Sequence, residues 1–163
     1  MEAIFVALSL FALASSDICA KPMEGGVGEP TFCQVEPELR IETPYFSIDT
    51  DPAFLVGVDS GGQRIRMQGS IRQEQAALEI EVANSTALAT EQRRWRDCSD
   101  YELNGAEGLL CDRSGNGQVW REYLLRRGDV SVVINVSASE FGYSSLPKLE
   151  QIFESLEVHE TRP

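Results

Sequence analysis

The chain predicts an α+β fold: an antiparallel β-sheet of about six to seven strands flanked by two amphipathic helices, an α/β/α sandwich. Three observations carry that expectation. Short apolar runs with period-two alternation recur between residues 44 and 138. Tight turns bearing glycine separate the later runs, as in an antiparallel meander. Two segments, 85–97 and 144–158, instead place their apolar residues at helical spacing. With 163 residues the chain fits one domain large enough to bury its own core.

The first residues, "MEAIFVALSLFALASSDICAKP", hold an uncharged apolar run over 3–14. It is shorter than the ~20 residues a membrane-spanning helix needs, and it has the length of a secretory h-region. Glu2 stands where a basic residue is usual, and a buried core helix is the competing reading. Residues 1–14 are read as a signal peptide, cut after the A-x-A at 12–14 or as late as Ala20. The earlier cut keeps four cysteines, an even set that suits an exported chain. Residues 21–39 are rich in Pro, Gly and Glu and read as an extended lead-in to a single domain over 40–160.

Within that domain, "PYFSI" (44–48) is strand-like, Asp51-Pro52 breaks it, and "AFLVGV" (53–58) reads as a buried strand. "RIRMQ" (64–68) follows a Gly-Gly turn, with Ile65 and Met67 on one face. "ALEIEV" (77–82) alternates, with Leu78, Ile80 and Val82 inward and Glu79 and Glu81 outward. Residues 85–97 carry Leu88 and Trp95 on one helical face. Strands return at 108–112, 118–127 and 130–138, joined by the Asn116-Gly117 turn and a second turn at Gly128-Asp129. In "SSLPKLEQIFESLEV" Ser144 and Ser145 are candidate caps, Pro147 suits a first turn, and Leu149, Ile152, Phe153 and Leu156 form a stripe.

"YFSIDTDPAFLV" at the start, a helix after the fourth strand, a three-strand meander and a closing "LPKLEQIFESLEV" together resemble the Mog1/PsbP-like α/β/α sandwich over residues 44–158. The resemblance lies in element order and apolar pattern. It implies a non-catalytic module that binds other proteins, and it carries no functional residue onto this chain.

His159 is the only histidine and falls in what reads as a solvated tail, a poor place for the base of a nucleophilic triad. Glu79 and Glu81 read as a solvated face rather than a carboxylate pair. "DRSGNGQVWREY" (112–123) approaches a calcium loop but has Tyr123 where the bidentate glutamate belongs. "RGD" (127–129) reads as a hairpin tip, and "RRWR" (93–96) as a helix face paired with nearby acids. The sequon at Asn135 falls within a strand pattern. No metal, cofactor or enzymatic site is expected.

The cysteines fit neither closely paired zinc ligands nor C-x-x-C redox chemistry. Cys98 and Cys111 enclose twelve residues, "SDYELNGAEGLL", and read as a disulfide staple around a turn at Asn104-Gly105. Cys19 would then pair with Cys33, the two other pairings remaining open. Twenty-six acids against fourteen bases give a net charge of −12. Such a field repels nucleic acid and favours a basic partner, although acidity also serves solubility.

The expectation is therefore a periplasmic or secreted, non-enzymatic binding domain with no membrane span. Its specific form is an acidic inhibitor or immunity protein neutralising a basic toxin or cell-wall hydrolase. The alternative is a Mog1/PsbP-like accessory, assembly or small-ligand-binding envelope protein. Asp100, Tyr101, Glu102, Glu107, Asp112 and Trp120 form the expected contact surface.

Overall fold

The computed structural model describes residues 22–23, 31–34, 39–59, 61–69, 76–83, 95 and 97–160. In chain order the strands are β1 (Pro22–Met23), β2 (Thr31–Gln34), β3 (Arg40–Glu42), β4 (Phe46–Asp49), β5 (Leu55–Val58), β6 (Arg64–Gln68), β7 (Ala76–Val82), β8 (Ser99–Leu103), β9 (Ala106–Asp112), β10 (Gln118–Arg127) and β11 (Val130–Ser139). A 3-10 turn (Glu140–Ser145), helix α1 (Leu146–Glu154) and β12 (Glu157–Val158) follow.

Nine strands form one antiparallel sheet in the order β1-β2-β5-β6-β7-β11-β10-β9-β8, and β12-β4-β3 form a second, small sheet. The expected count of six to seven strands is thus too low. Two of the added strands, β1 and β2, lie in the segment read as an extended lead-in, and β2 enters the sheet by pairing with β5. β8 was missed because its "SDYEL" reads as an acidic loop, and its pairing with β9 overrides that local composition.

Alternation decides which side is core. Ile65, Met67, Leu78, Ile80, Leu125, Val132, Ile134 and Val136 project from one face of the large sheet and are almost fully buried. Against them lie Leu149, Ile152 and Phe153 of α1, Ile41, Phe46 and Ile48 of the small sheet, and Phe54 from the turn after Asp51-Pro52. That turn is set by the Asp51 carboxylate, which accepts the Ala53 N–H at 2.7 Å. On the opposite, outer face Gln68, Glu122 and Ser131 are also buried.

Two expectations for the C-terminal segment are corrected. Ser145 makes no side-chain cap; the 3-10 turn runs straight into α1, so helical backbone already occupies the cap position. The helix stops at Glu154, and Glu157–Val158 turns into a strand opposite Ser47 and Phe46. Ser155 makes the corner by donating to the Ile152 carbonyl at 2.6 Å and accepting the Asp49 N–H at 2.9 Å. One α-helix is therefore seen among the described residues. The second, expected over 85–97, lies outside the described residues apart from a buried Trp95 and an exposed Asp97.

Candidate functional site: the stapled acidic hairpin

β8 and β9 meet through a two-residue turn, Asn104 at φ 48° and Gly105 at φ 77°, closed by the pair Leu103–Ala106. Positive φ at both positions matches the right-handed strand twist and explains the Asn-Gly dipeptide. In such a hairpin the closing pair exchanges both backbone hydrogen bonds, and bonded and non-bonded pairs then alternate. Ser99–Leu110 is bonded, so Cys98 faces Cys111 at a non-bonded site. Their Cα atoms are 4.5 Å apart, the spacing that site provides, and the disulfide forms there. The partner expected for Cys33, Cys19, lies outside the described residues.

A further clamp fixes the turn. The Asn104 side-chain amide donates to the carbonyls of Glu154 and Leu156, both at 2.9 Å, tying the hairpin to the end of α1. Gly108 permits the close β9–β10 approach, because a Cβ there would collide with the Leu124 carbonyl oxygen.

Alternation divides the six expected contact residues. Asp100, Glu102 and Glu107 project together from the outer face and are exposed. Beside them Leu109, Leu124 and Arg126 line the same open surface depression. These three were not anticipated, although counting twos from Glu107 along β9 and across to β10 leads to them.

Tyr101 also lines the depression, but its ring turns inward, 5.0 Å from Tyr123 and 6.3 Å from Phe153. Burial, with Glu154 adding to it, raises its hydroxyl pKa. Asp112 is exposed but projects from the opposite face to Glu107 and has local partners. It accepts the Ser114 N–H at 2.9 Å and lies 3.4 Å from Arg121. Trp120 is 47% exposed and shares the outer face, but sits four residues from Leu124 along β10. That is about 13 Å along the strand, beyond the depression.

Electrostatics separates the acidic trio from most other acids. Among the described residues none of Asp100, Glu102 and Glu107 enters an ion pair, even though Arg126 stands opposite Glu107 in register. By contrast, Glu79 is held by Arg64, Asp51 by Lys148 and Glu150 by Arg121.

His159 is also corrected from a solvated tail to a member of the small sheet's edge. Its N–H donates to the Tyr45 carbonyl at 2.8 Å, and its Nε2 lies 3.3 Å from Ser47 Oγ and 3.9 Å from Glu42. Ser, His and Glu therefore meet, but serine and carboxylate approach the same ring nitrogen. A triad needs them on opposite nitrogens. Ser47 is moreover buried, and its oxygen accepts from Arg40 at 2.8 Å. Among the described residues no group of three or more His, Cys, Asp or Glu side chains is arranged to hold a metal, and no helix is long and apolar enough to cross a membrane.

No family model and no curated protein matches the chain. A solved structure from Bacteroides thetaiotaomicron VPI-5482 is similar in fold, with a TM-score of 0.53 and 11% identity, covering 77% of this chain. The match takes in 50% of that chain, so this protein spans about half its length. At that identity the likeness concerns the fold alone.

Proposed function

We propose that this protein is an exported, non-enzymatic binding domain whose acidic hairpin captures a basic protein, in the manner of an inhibitor or immunity protein neutralising a toxin or cell-wall hydrolase. One observation carries the reading: Asp100, Glu102 and Glu107 are exposed, face one way and enter no ion pair among the described residues, on a hairpin closed by a disulfide. Carboxylates outside the ion pairs of their own fold can meet lysines and arginines of another. The net charge of −12 would speed the encounter, and the fixed hairpin would spare the ordering cost of a mobile loop.

The Cys98–Cys111 bond supports a periplasmic or secreted location, where disulfides persist. The α/β/α arrangement belongs to the same proposal, supported by the burial of Gln68, Glu122 and Ser131 on the outer sheet face. A Mog1/PsbP-like accessory role would use the same surface and leave the captured partner's activity intact.

The test is a pull-down with the full chain from its own envelope extract, at low and at high salt. A basic protein retained one-to-one, released by salt and by joint reversal of Asp100, Glu102 and Glu107 to lysine, is the expected result. Unaltered capture by the reversed variant would move the contact elsewhere on the molecule. Assaying the captured protein with and without this chain separates inhibition from an accessory role.

A further inference from the structure

Among the described residues β8 ends the nine-stranded sheet, with β9 as its one neighbour in the strand order. The hairpin register fixes where its backbone groups point. Ser99, Tyr101 and Leu103 spend theirs on Leu110, Gly108 and Ala106. The N–H and C=O of Asp100 and Glu102 therefore point away from β9, along an edge where both residues are exposed. Edge strands commonly carry charge to repel their own kind. Two copies paired through β8 would place like-charged carboxylates together on one face, so the occupant is not a second copy.

We infer that the β8 edge receives an extended basic segment of another protein, added as a tenth, antiparallel strand. The inference rests on the acidic-surface reading above and specifies how that surface is engaged. Partner residues opposite Asp100 and Glu102 exchange backbone bonds with them, and their side chains emerge on the outer face beside Asp100, Glu102 and Glu107. Lysine or arginine belongs at those two positions. The residue between them lies opposite Tyr101 and projects to the inner side, beside the half-buried tyrosine ring and Phe153. An apolar residue belongs there. The recognised pattern is therefore basic–apolar–basic in extended conformation, read by main-chain bonds together with alternate side chains.

The probe is a capped peptide of alternating lysine and valine, about nine residues long, titrated into the full oxidised chain by calorimetry at low salt. Methylating the backbone nitrogens of its lysines removes the donors aimed at β8 and leaves every charge in place. Methylating those of its valines alters nitrogens that face solvent. Lysine methylation should weaken binding by about tenfold or more, and valine methylation by much less. From the protein side, Glu102→Pro removes an outward N–H that the sheet does not use, and Glu102→Gln removes only the charge. The proline variant should bind about tenfold more weakly than the glutamine variant.

Equal binding of the two methylated peptides would overturn strand addition while leaving an acidic surface that attracts lysine. Absence of binding by any of these peptides overturns the strand-addition proposal, and the pull-down above judges the broader reading separately. Dimerisation of the chain through β8, read by sedimentation, would assign the edge to a second copy and overturn it as well.

Discussion

Three carboxylates gather in each of two places, with opposite consequences. On the small sheet Glu42, Asp49 and Glu157 surround Arg40 at 3.3, 2.7 and 3.0 Å. Arg40 also donates to Ser47, and its pKa is raised, chiefly by the hydrogen bond to Asp49. On the hairpin Asp100, Glu102 and Glu107 enter no ion pair among the described residues. The first group is part of the fold's own wiring and the second is not. Local acid density, which sequence shows, does not distinguish them; the position of one arginine does.

Four experiments sharpen that contrast. The largest effect should come from the base of the hairpin. Reducing or replacing Cys98 and Cys111 should lower the unfolding free energy by about 3 kcal/mol, read from urea melts with and without reductant. A midpoint indifferent to reductant would mean that the hairpin keeps its shape without its staple. Next, Gly108→Ala should cost about 2 kcal/mol, because the added methyl strikes the Leu124 carbonyl. Its signature is a melt shifted even in the oxidised protein.

Arg40→Met should cost about 1 kcal/mol, a modest figure because the Arg40 side chain is 33% exposed and partly screened. The triple neutralisation Asp100→Asn, Glu102→Gln, Glu107→Gln should stay within ~0.5 kcal/mol of the parent. If the triple variant instead loses more than Arg40→Met, the hairpin acids are structural and the contrast fails.

The smallest effect concerns pH. The Asp51 carboxyl is held below its ordinary value, first by the Ala53 N–H and then by Lys148; Asp112 is lowered first by its hydrogen bonds to Ser114. Because each is more acidic in the folded chain, the unfolded chain takes up the proton first as pH falls. Their stabilisation is complete above the unfolded value of about 4 and fades as pH drops through the lower folded value. Asp112→Asn should flatten the acid limb of stability, measured from about pH 6 to about pH 2. An unchanged limb would show that the Ser114 contacts do not survive in solution.

Much of this was legible where a residue's role depends on its near neighbours. Residues 64–68 match β6, and 118–127 match β10, because alternation and bounding turns define a strand locally. The Asn104-Gly105 and Asn116-Gly117 bends were legible because positive φ selects those residues. What stayed hidden depends on distant partners. Nothing inside "EV" at 157–158 distinguishes a last helical turn from a strand; β4 decides it. Tyr101 was grouped with its acidic neighbours because they adjoin in sequence, whereas alternation sends it to the other side. Asp112 was assigned to the surface by sign alone, and the Ser114 N–H that occupies it was not weighed.

The small sheet also dictates an order of assembly. β4 has β3 close by, but its other neighbour is β12, and Ser47 waits for His159 across 112 residues. On a ribosome adding about 5–20 residues per second, that interval is roughly 5 to 20 seconds. During it, Phe46 and Ile48 have no finished layer to enter. Completion of the core is thus coupled to arrival of the last strand, and a nascent chain stalled short of residue 157 would present those side chains to chaperones and proteases.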